Sequence, residues 1–261
     1  MTVCIGALCA NLDGVASRAV IVASDRMVTM GGLIEFEHED PKVQPVTDKI
    51  VGLMAGDALK GARVIREVRS LIPAGSPTVK AVAEAVSTHY VMLRREEIQK
   101  DVLTPRGIDL AQFYQGGLQQ RMLPQLAGAL DQHIAGFNFG VELLIAGVDD
   151  TGGHLFSITN PGGSFSDFQQ IGYTAIGSGA LHAVQSLIGF GHMNARSLHE
   201  TLFNVYASKR RAEVAPGVGK DTDVAIISDT GIIRINQDQI KQLDGAYMEY
   251  YRPVSQELKD K

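Results

Sequence analysis

The chain has 261 residues, 45% of them hydrophobic and 20% charged, which is enough to bury a sizeable core and rules out a disordered polymer. A net charge of -5 lacks the basic excess carried by general nucleic-acid or anionic-membrane binders, so neither is expected as a partner. Cys4 and Cys9 are the only cysteines and no apolar run reaches bilayer length, so reduced thiols, no membrane span and a cytoplasmic location are expected.

The first stretch, "VCIGALCA", lacks a basic leading region and runs directly into Asn11 and Asp13, so it reads as a strand and not as a signal-peptide core. Residues 2–10 and 18–24 are apolar runs flanking "NLDGVAS", whose Asn, Asp, Gly and Ser mark the turn of an antiparallel hairpin. "KVQPV" and "KIVGLMAG" flank "TD" in the same way, and together the two pairs predict an N-terminal sheet of four or more strands ending at Gly56. The period then changes: Leu59, Ala62, Val64, Ile65, Val68 and Ile72 recur at helical spacing, and a second helix follows "PAGSP" from about residue 78.

From Val141 strands return as "VELLIAGVDD", "HLFSIT" and a segment ending in "YTAIGSGA", with "TGG" and "NPGG" as turns. Helices are predicted at about 179–190 and 197–212. "TDVAIISD" and "GIIRIN" then form a hairpin turning near Thr230 and Gly231, followed by a polar tail rich in Gln, Tyr and Lys. Segregated runs of strands, two helices, strands, two helices and strands predict an α+β fold, a four-layer αββα sandwich of two packed sheets with helices outside. With no internal repeat and no linker long enough to divide it, residues 1–261 read as one domain.

Several chemistries find no support. There is no GxxxxGK[ST] loop and no GxGxxG, so a nucleotide cofactor is not expected; the seven His lack metal-ligand spacing, so neither is a metal. "MLRREEIQKD" is a charge run on a helix and reads as a solvated face. Four polar positions stand out. Thr2 follows the initiator Met1, and removal of Met1 before a small residue would leave a free amine beside the Thr2 hydroxyl; such an amine titrates at roughly 7.7–8.0 and can serve as the base for its own side chain. Asp25 ends the apolar "VIVASD", Lys42 opens "KVQPV", and Ser178 sits between two glycines. Taken singly, each is as readily an ordinary turn or strand-end residue.

In combination they carry more. "TVCIG", "VIVASDRMVTM", Lys42 with Gly56 fourteen residues later in "LMAGDA", "LLIAGVDDTGGHLFSI" and "AIGSGA", in that order, resemble the proteasome β-subunit family of N-terminal nucleophile hydrolases over nearly the whole chain. The resemblance implies the same αββα sandwich, a nucleophile at the first residue of the mature chain, no cofactor, a peptide or unfolded-protein substrate and a homo-oligomeric ring. Residue by residue it makes Thr2 the nucleophile, Asp25 the acidic partner, Lys42 the lysine and Ser178 the serine of the GSG turn. Lys42 is preferred to Lys49 because its spacing to Gly56 fits the family and Lys49 falls in a hairpin turn. The Gly56 N–H would donate to the oxyanion, and extended peptide would lie beside "RMVTM" and "AGDAL", touching Val28 and Met54.

Two departures stand against the family pattern. The loop "RRAEVAPGVGKDTDV" lacks the serine that, with an Asp, normally supports the amino terminus, leaving Glu213 and Asp221 as open substitutes. A helical stretch at about 93–139 is longer than in compact proteasome subunits. The expected activity is threonine-type peptide hydrolysis through an acyl-enzyme, with trimming of Met1 as the only maturation step. A transpeptidase using the same acyl-enzyme and a catalytically silent shell subunit are the alternatives.

Overall fold

The computed structural model describes residues 2–10, 18–30, 34–37, 42–73, 75 and 77–251. Met1, the predicted turn at 11–17, Pro41, Ala74 and Ser76 of the "PAGSP" stretch, and the last ten residues of the predicted tail lie outside them. In chain order the first strands are β1 (Cys4–Cys9), β2 (Ala19–Asp25), β3 (Met27–Met30), β4 (Ile34–Glu37), β5 (Val43–Pro45) and β6 (Ile50–Gly56). Helices α1 (Ala58–Leu71) and α2 (Val79–Glu97) follow, then α3 (Leu110–Tyr114), α4 (Leu118–Arg121) and α5 (Pro124–Ala135). The second half holds β7 (Val141–Asp149), β8 (Gly152–Ile158), β9 (Ser166–Asp167), β10 (Tyr173–Ile176), α6 (Ala180–Gly189), α7 (Leu198–Ala212), β11 (Thr222–Ser228), β12 (Gly231–Arg234) and α8 (Gln237–Tyr250).

Two antiparallel sheets, ordered β10-β1-β2-β11-β12 and β5-β6-β7-β8-β9, pack face to face. Strand alternation explains the layers. Cys4 and Leu8 of β1 and Val20 and Val22 of β2 meet Leu53, Leu144, Ala146 and Leu155 between the sheets, while Ile5, Ala7 and Ile21 point the other way, toward α6 and α7. Leu143 and Ile145 of β7 likewise face Val64, Val68, Val82 and Val86 of α1 and α2. Each such side chain taken fully out of water contributes about 1.5–3 kcal/mol. The αββα sandwich expected from element order is the architecture observed, and it explains why the strands read as near-continuous apolar runs: both faces are covered.

Helix boundaries follow local chemistry. Asp57 caps α1 by accepting from the N–H groups of Leu59 and Lys60, Thr78 caps α2 through Ala81, and Ser197 with Glu200 forms a reciprocal capping box on α7. Among the described residues no helix is long and apolar enough to cross a membrane.

Two expectations are corrected. The N-terminal hairpins do not share one sheet: β1 and β2 belong to the first and β5 and β6 to the second, because β1 pairs with β10, β2 with β11, and β6 with β7. The described part of the predicted polar tail is the helix α8, opened by a capping box of Asn236 and Gln239 and docked on the α6–α7 layer through Ile240, Leu243 and Tyr247. In the 93–139 stretch, α2 runs through a π-helical turn at Ile98–Leu103 into α3–α5, which gather around Ile98, Leu103, Phe113, Leu130 and Ile134. Arg94 donates to the carbonyls of Ile134, Ala135 and Phe137, satisfying the end of α5 and setting the course of the chain into β7.

Candidate active site

Thr2 stands two residues ahead of β1 in the buried strand pair. Its carbonyl accepts from Gly179 N–H at 3.1 Å, and the next residue, Val3, accepts from Asp25 N–H at 3.2 Å. The start of the chain is thereby pinned between the end of β2 and the first turn of α6. Asp25 is the last residue of β2, fully buried and paired in the sheet with Thr222 of β11. A carboxylate taken out of water needs partners, and Asp25 has five. Its Oδ1 accepts from Val3 N–H at 2.9 Å, from Lys42 Nζ at 3.0 Å and from the Thr2 hydroxyl; its Oδ2 accepts from the N–H groups of Met27 and Gly219, both at 3.0 Å.

Lys42 Nζ also donates to Thr2 Oγ1, so the hydroxyl lies between a carboxylate and an ammonium, and the Lys42–Asp25 ion pair is largely shielded from solvent. Thr2 N–H donates to Ser178 Oγ at 3.1 Å. The Ser178 hydroxyl lies 3.3 Å from the carbonyl oxygens of both Thr2 and Pro216; having one hydrogen, it can donate to one of them at a time. Thr2, Asp25, Lys42 and Ser178, scattered across the sequence, therefore come together at one end of the sheet pair. Lys49 does not join them. It stays in the β5–β6 turn, where its N–H bonds the Thr47 hydroxyl and its carbonyl accepts from Val148.

Two cavities meet at Thr2 and Gly56. The smaller, about 30 Å³, is lined by Met27, Val28, Lys42, Met54, Ala55 and Ala58, so both Val28 and Met54 border Thr2. The larger, about 550 Å³, opens on the side of Gly140, Glu142, Asn160 and the Gly177–Ser178 turn. Gly56 has φ +91°, and a Cβ there would overlap the Gly140 carbonyl oxygen, so only glycine fits without distortion. Pairing between β5 and β6 reaches only Leu53 on β6, which leaves Met54–Gly56 without a strand partner on that edge among the described residues. β3, whose strand pairing is to β4, brings Val28 to the same small cavity. An extended segment can pair with that open edge in the manner of an added strand.

Cys4 touches the site from beneath, its Sγ 3.3 Å from the Met54 carbonyl. Burial pushes its thiol up to about 12 despite the opposing pull of Lys42, so it stays a neutral thiol and does not compete as a nucleophile.

The loop after α7 supplies what side-chain types alone did not reveal. Glu213, one of the two acidic residues considered as substitutes, is committed to Lys209 at 2.8 Å and Arg210 at 3.2 Å; Asp221 contributes its backbone N–H to Glu37. The contacts that reach the site are backbone groups: Gly219 N–H on Asp25 and the Pro216 carbonyl near Ser178. Lys209 holds this loop down. Its Nζ, wholly buried, donates to Glu213 and, at 2.8 and 2.7 Å, to the carbonyls of Gly219 and Lys220. Burial lowers its pKa below the ordinary lysine value, an effect that Glu213 opposes.

Replacing Lys209 with Met strands those carbonyls and unbalances Glu213. We expect a loss of about 3–5 kcal/mol in urea unfolding, as when one partner of a buried ion pair is removed. An unchanged unfolding midpoint would show that the loop is held by other means.

The family model of the proteasome subunit matches residues 120–193. The matched stretch runs from just before α5 to just after α6 and includes Glu142 and Ser178; Thr2, Asp25, Lys42 and Gly56 precede it. No curated protein matches the chain.

Proposed function

We propose, from the premise that this chain is a proteasome-like subunit, that it is a threonine-type peptidase whose nucleophile is Thr2 after removal of Met1. The observation that carries this reading is the placement of the Thr2 hydroxyl between Asp25 and Lys42 at the meeting point of two cavities that Gly56 also lines. With Met1 gone, the freed Thr2 amine is the base. It takes the hydroxyl proton while the Lys42 ammonium stabilises the forming alkoxide and Asp25 fixes that ammonium. Attack on a peptide carbonyl gives a tetrahedral intermediate whose oxyanion is met by the Gly56 N–H, a contribution of about 3–4 kcal/mol for one good donor.

Collapse of the intermediate leaves an ester on Thr2 and passes the amine's extra proton to the departing amino group. Water, activated by the same amine, then releases the acid. An incoming amine in place of water would make the same site a transpeptidase, which product analysis with an added amine distinguishes. Ser178 orients the amine through the hydrogen bond it already accepts from Thr2 N. We propose peptides or unfolded protein as substrates and a homo-oligomeric ring as the assembled form.

The test is a pair of lysine variants in a peptide-cleavage assay. Lys42→Ala is expected to lower turnover at least about 10²-fold, the scale of one catalytic group. It should still fold, since Asp25 keeps the Thr2 hydroxyl and three backbone N–H donors. Lys49→Ala, in a turn away from these contacts, is expected to stay within about twofold. Reversed behaviour of the two variants would mean that the wrong lysine carries the chemistry.

A further inference from the structure

One charged residue of the larger cavity has no part in the mechanism above. Glu142 lies on the face of β7 whose next members, Leu144, Ala146 and Val148, are buried between the sheets, so strand alternation calls for an apolar residue there. Instead a carboxylate closes the inter-sheet core at the Thr2 end. Its Oε2 accepts from Gly177 N–H at 2.8 Å, and a Cβ added to Gly177 would meet the Thr2 side chain at 2.9 Å, so the carboxylate is anchored next to the nucleophile. Every other side chain lining the roughly 550 Å³ cavity is uncharged: Thr2, three glycines, Val141, Thr159, Ser178 and the two asparagines Asn138 and Asn160.

The asparagines use their carbonyl oxygens to accept from Gly140 and Phe139 N–H groups. The side chains of the cavity therefore carry one negative charge and no positive one; the freed Thr2 amine, held on Ser178, is the cationic group at its floor. It has room for a long side chain, and it lies across Thr2 and Gly56 from the small cavity lined by Val28 and Met54.

We infer that this cavity is a subsite for a basic side chain, lysine or arginine, on the leaving-group side of the cleaved bond, with Glu142 as its specificity determinant. The inference rests on the peptidase reading and deepens it. The acyl part of an extended peptide takes the open edge at Met54–Gly56 and the small cavity, which leaves the larger one for the residue just beyond the scissile bond. There an ammonium or guanidinium pairs with the Glu142 carboxylate, a partly desolvated charge pair that favours cationic over neutral side chains. The alternative is that Glu142 serves only to hold the Gly177 turn.

Glu142→Gln separates the two roles, because glutamine's carbonyl still accepts from Gly177 N–H while the charge is lost. The protein digests an unfolded protein substrate, and mass spectrometry reads the residue that follows each cleaved bond. For the parent, Lys and Arg are expected there about fivefold above their abundance in the substrate, the weight of one modest ion pair. In Glu142→Gln that enrichment should fall to one, each residue profile being normalised to the cleavages that protein makes. Equal residue profiles for parent and variant overturn the subsite and leave the peptidase reading standing.

If neither protein cleaves, the peptidase reading fails, and binding decides the subsite by itself. End-capped pentapeptides with one central lysine or norleucine are titrated against both proteins. Tighter binding of the lysine peptide by the parent, lost in Glu142→Gln, supports the cationic site; no difference between the peptides overturns it.

Discussion

Thr2→Ala is expected to fold normally and to lose peptide cleavage by about 10³-fold or more, the scale on which removal of a nucleophile acts. The fold survives because the substitution removes a methyl and a hydroxyl while leaving the 3.0 Å Lys42–Asp25 pair and the Val3 and Gly179 backbone bonds in place. Thr2→Ser keeps both the hydroxyl and the amine, so it should retain measurable activity; it loses only the methyl that packs near Gly177. Peptide cleavage and a urea melt run on the three proteins separate chemistry from folding. Cleavage by Thr2→Ala at the parental rate would remove Thr2 from the mechanism.

Asp25 carries the second large effect, and here stability and activity fall together. Asp25→Ala leaves the Lys42 ammonium without its counter-charge and strands the N–H groups of Val3, Met27 and Gly219 in a buried site. We expect it to cost about 3–5 kcal/mol of stability, the range for breaking a buried pair, with activity abolished. Asp25→Asn keeps the volume and one acceptor oxygen, so it should be the milder variant in unfolding. Its cleavage rate should still fall on the order of 10³-fold, because the ammonium is no longer neutralised and a donor now faces it. Denaturant midpoints set beside cleavage rates test the distinction. Parental activity in Asp25→Asn would show that the carboxylate serves the fold alone.

Both predictions depend on residues that stood out in the sequence by type and position, and that the family resemblance then singled out. Asp25 is a charge at the end of an apolar strand, Lys42 stands fourteen residues before Gly56, and Ser178 sits between glycines. The helices α1, α2, α6 and α7 were equally legible because their apolar positions repeat at helical spacing. Sheet membership was not. The two N-terminal hairpins are similarly apolar, and what divides them is pairing with β10, β11 and β7, partners far away in the chain that no local pattern specifies.

The supporting shell was hidden for different reasons. Lys209 precedes Arg210 and Arg211, so it reads as part of a solvated basic run although it is fully buried. Gly219 and Pro216 act through backbone groups, which residue type does not advertise. Helix α8 was obscured by its polar composition, though Asn236 three residues before Gln239, with Ile240, Leu243 and Tyr247 following at helical spacing, marked it. Glu142 was visible as an acid within an apolar alternation, but only the second sheet's position shows that its strand face points toward Thr2.

The central claim is that the free amine and hydroxyl of Thr2 act together, and intact-mass spectrometry tests it most directly. The purified protein is weighed before and after incubation with a peptide epoxyketone, an electrophile that bonds both groups. The account predicts a protein lacking Met1 that gains the mass of one inhibitor and stops cleaving, with no gain in Thr2→Ala. Peptide cleavage by a protein whose mass shows Met1 fully retained would contradict it, because an amide nitrogen at Thr2 cannot take the hydroxyl proton at neutral pH.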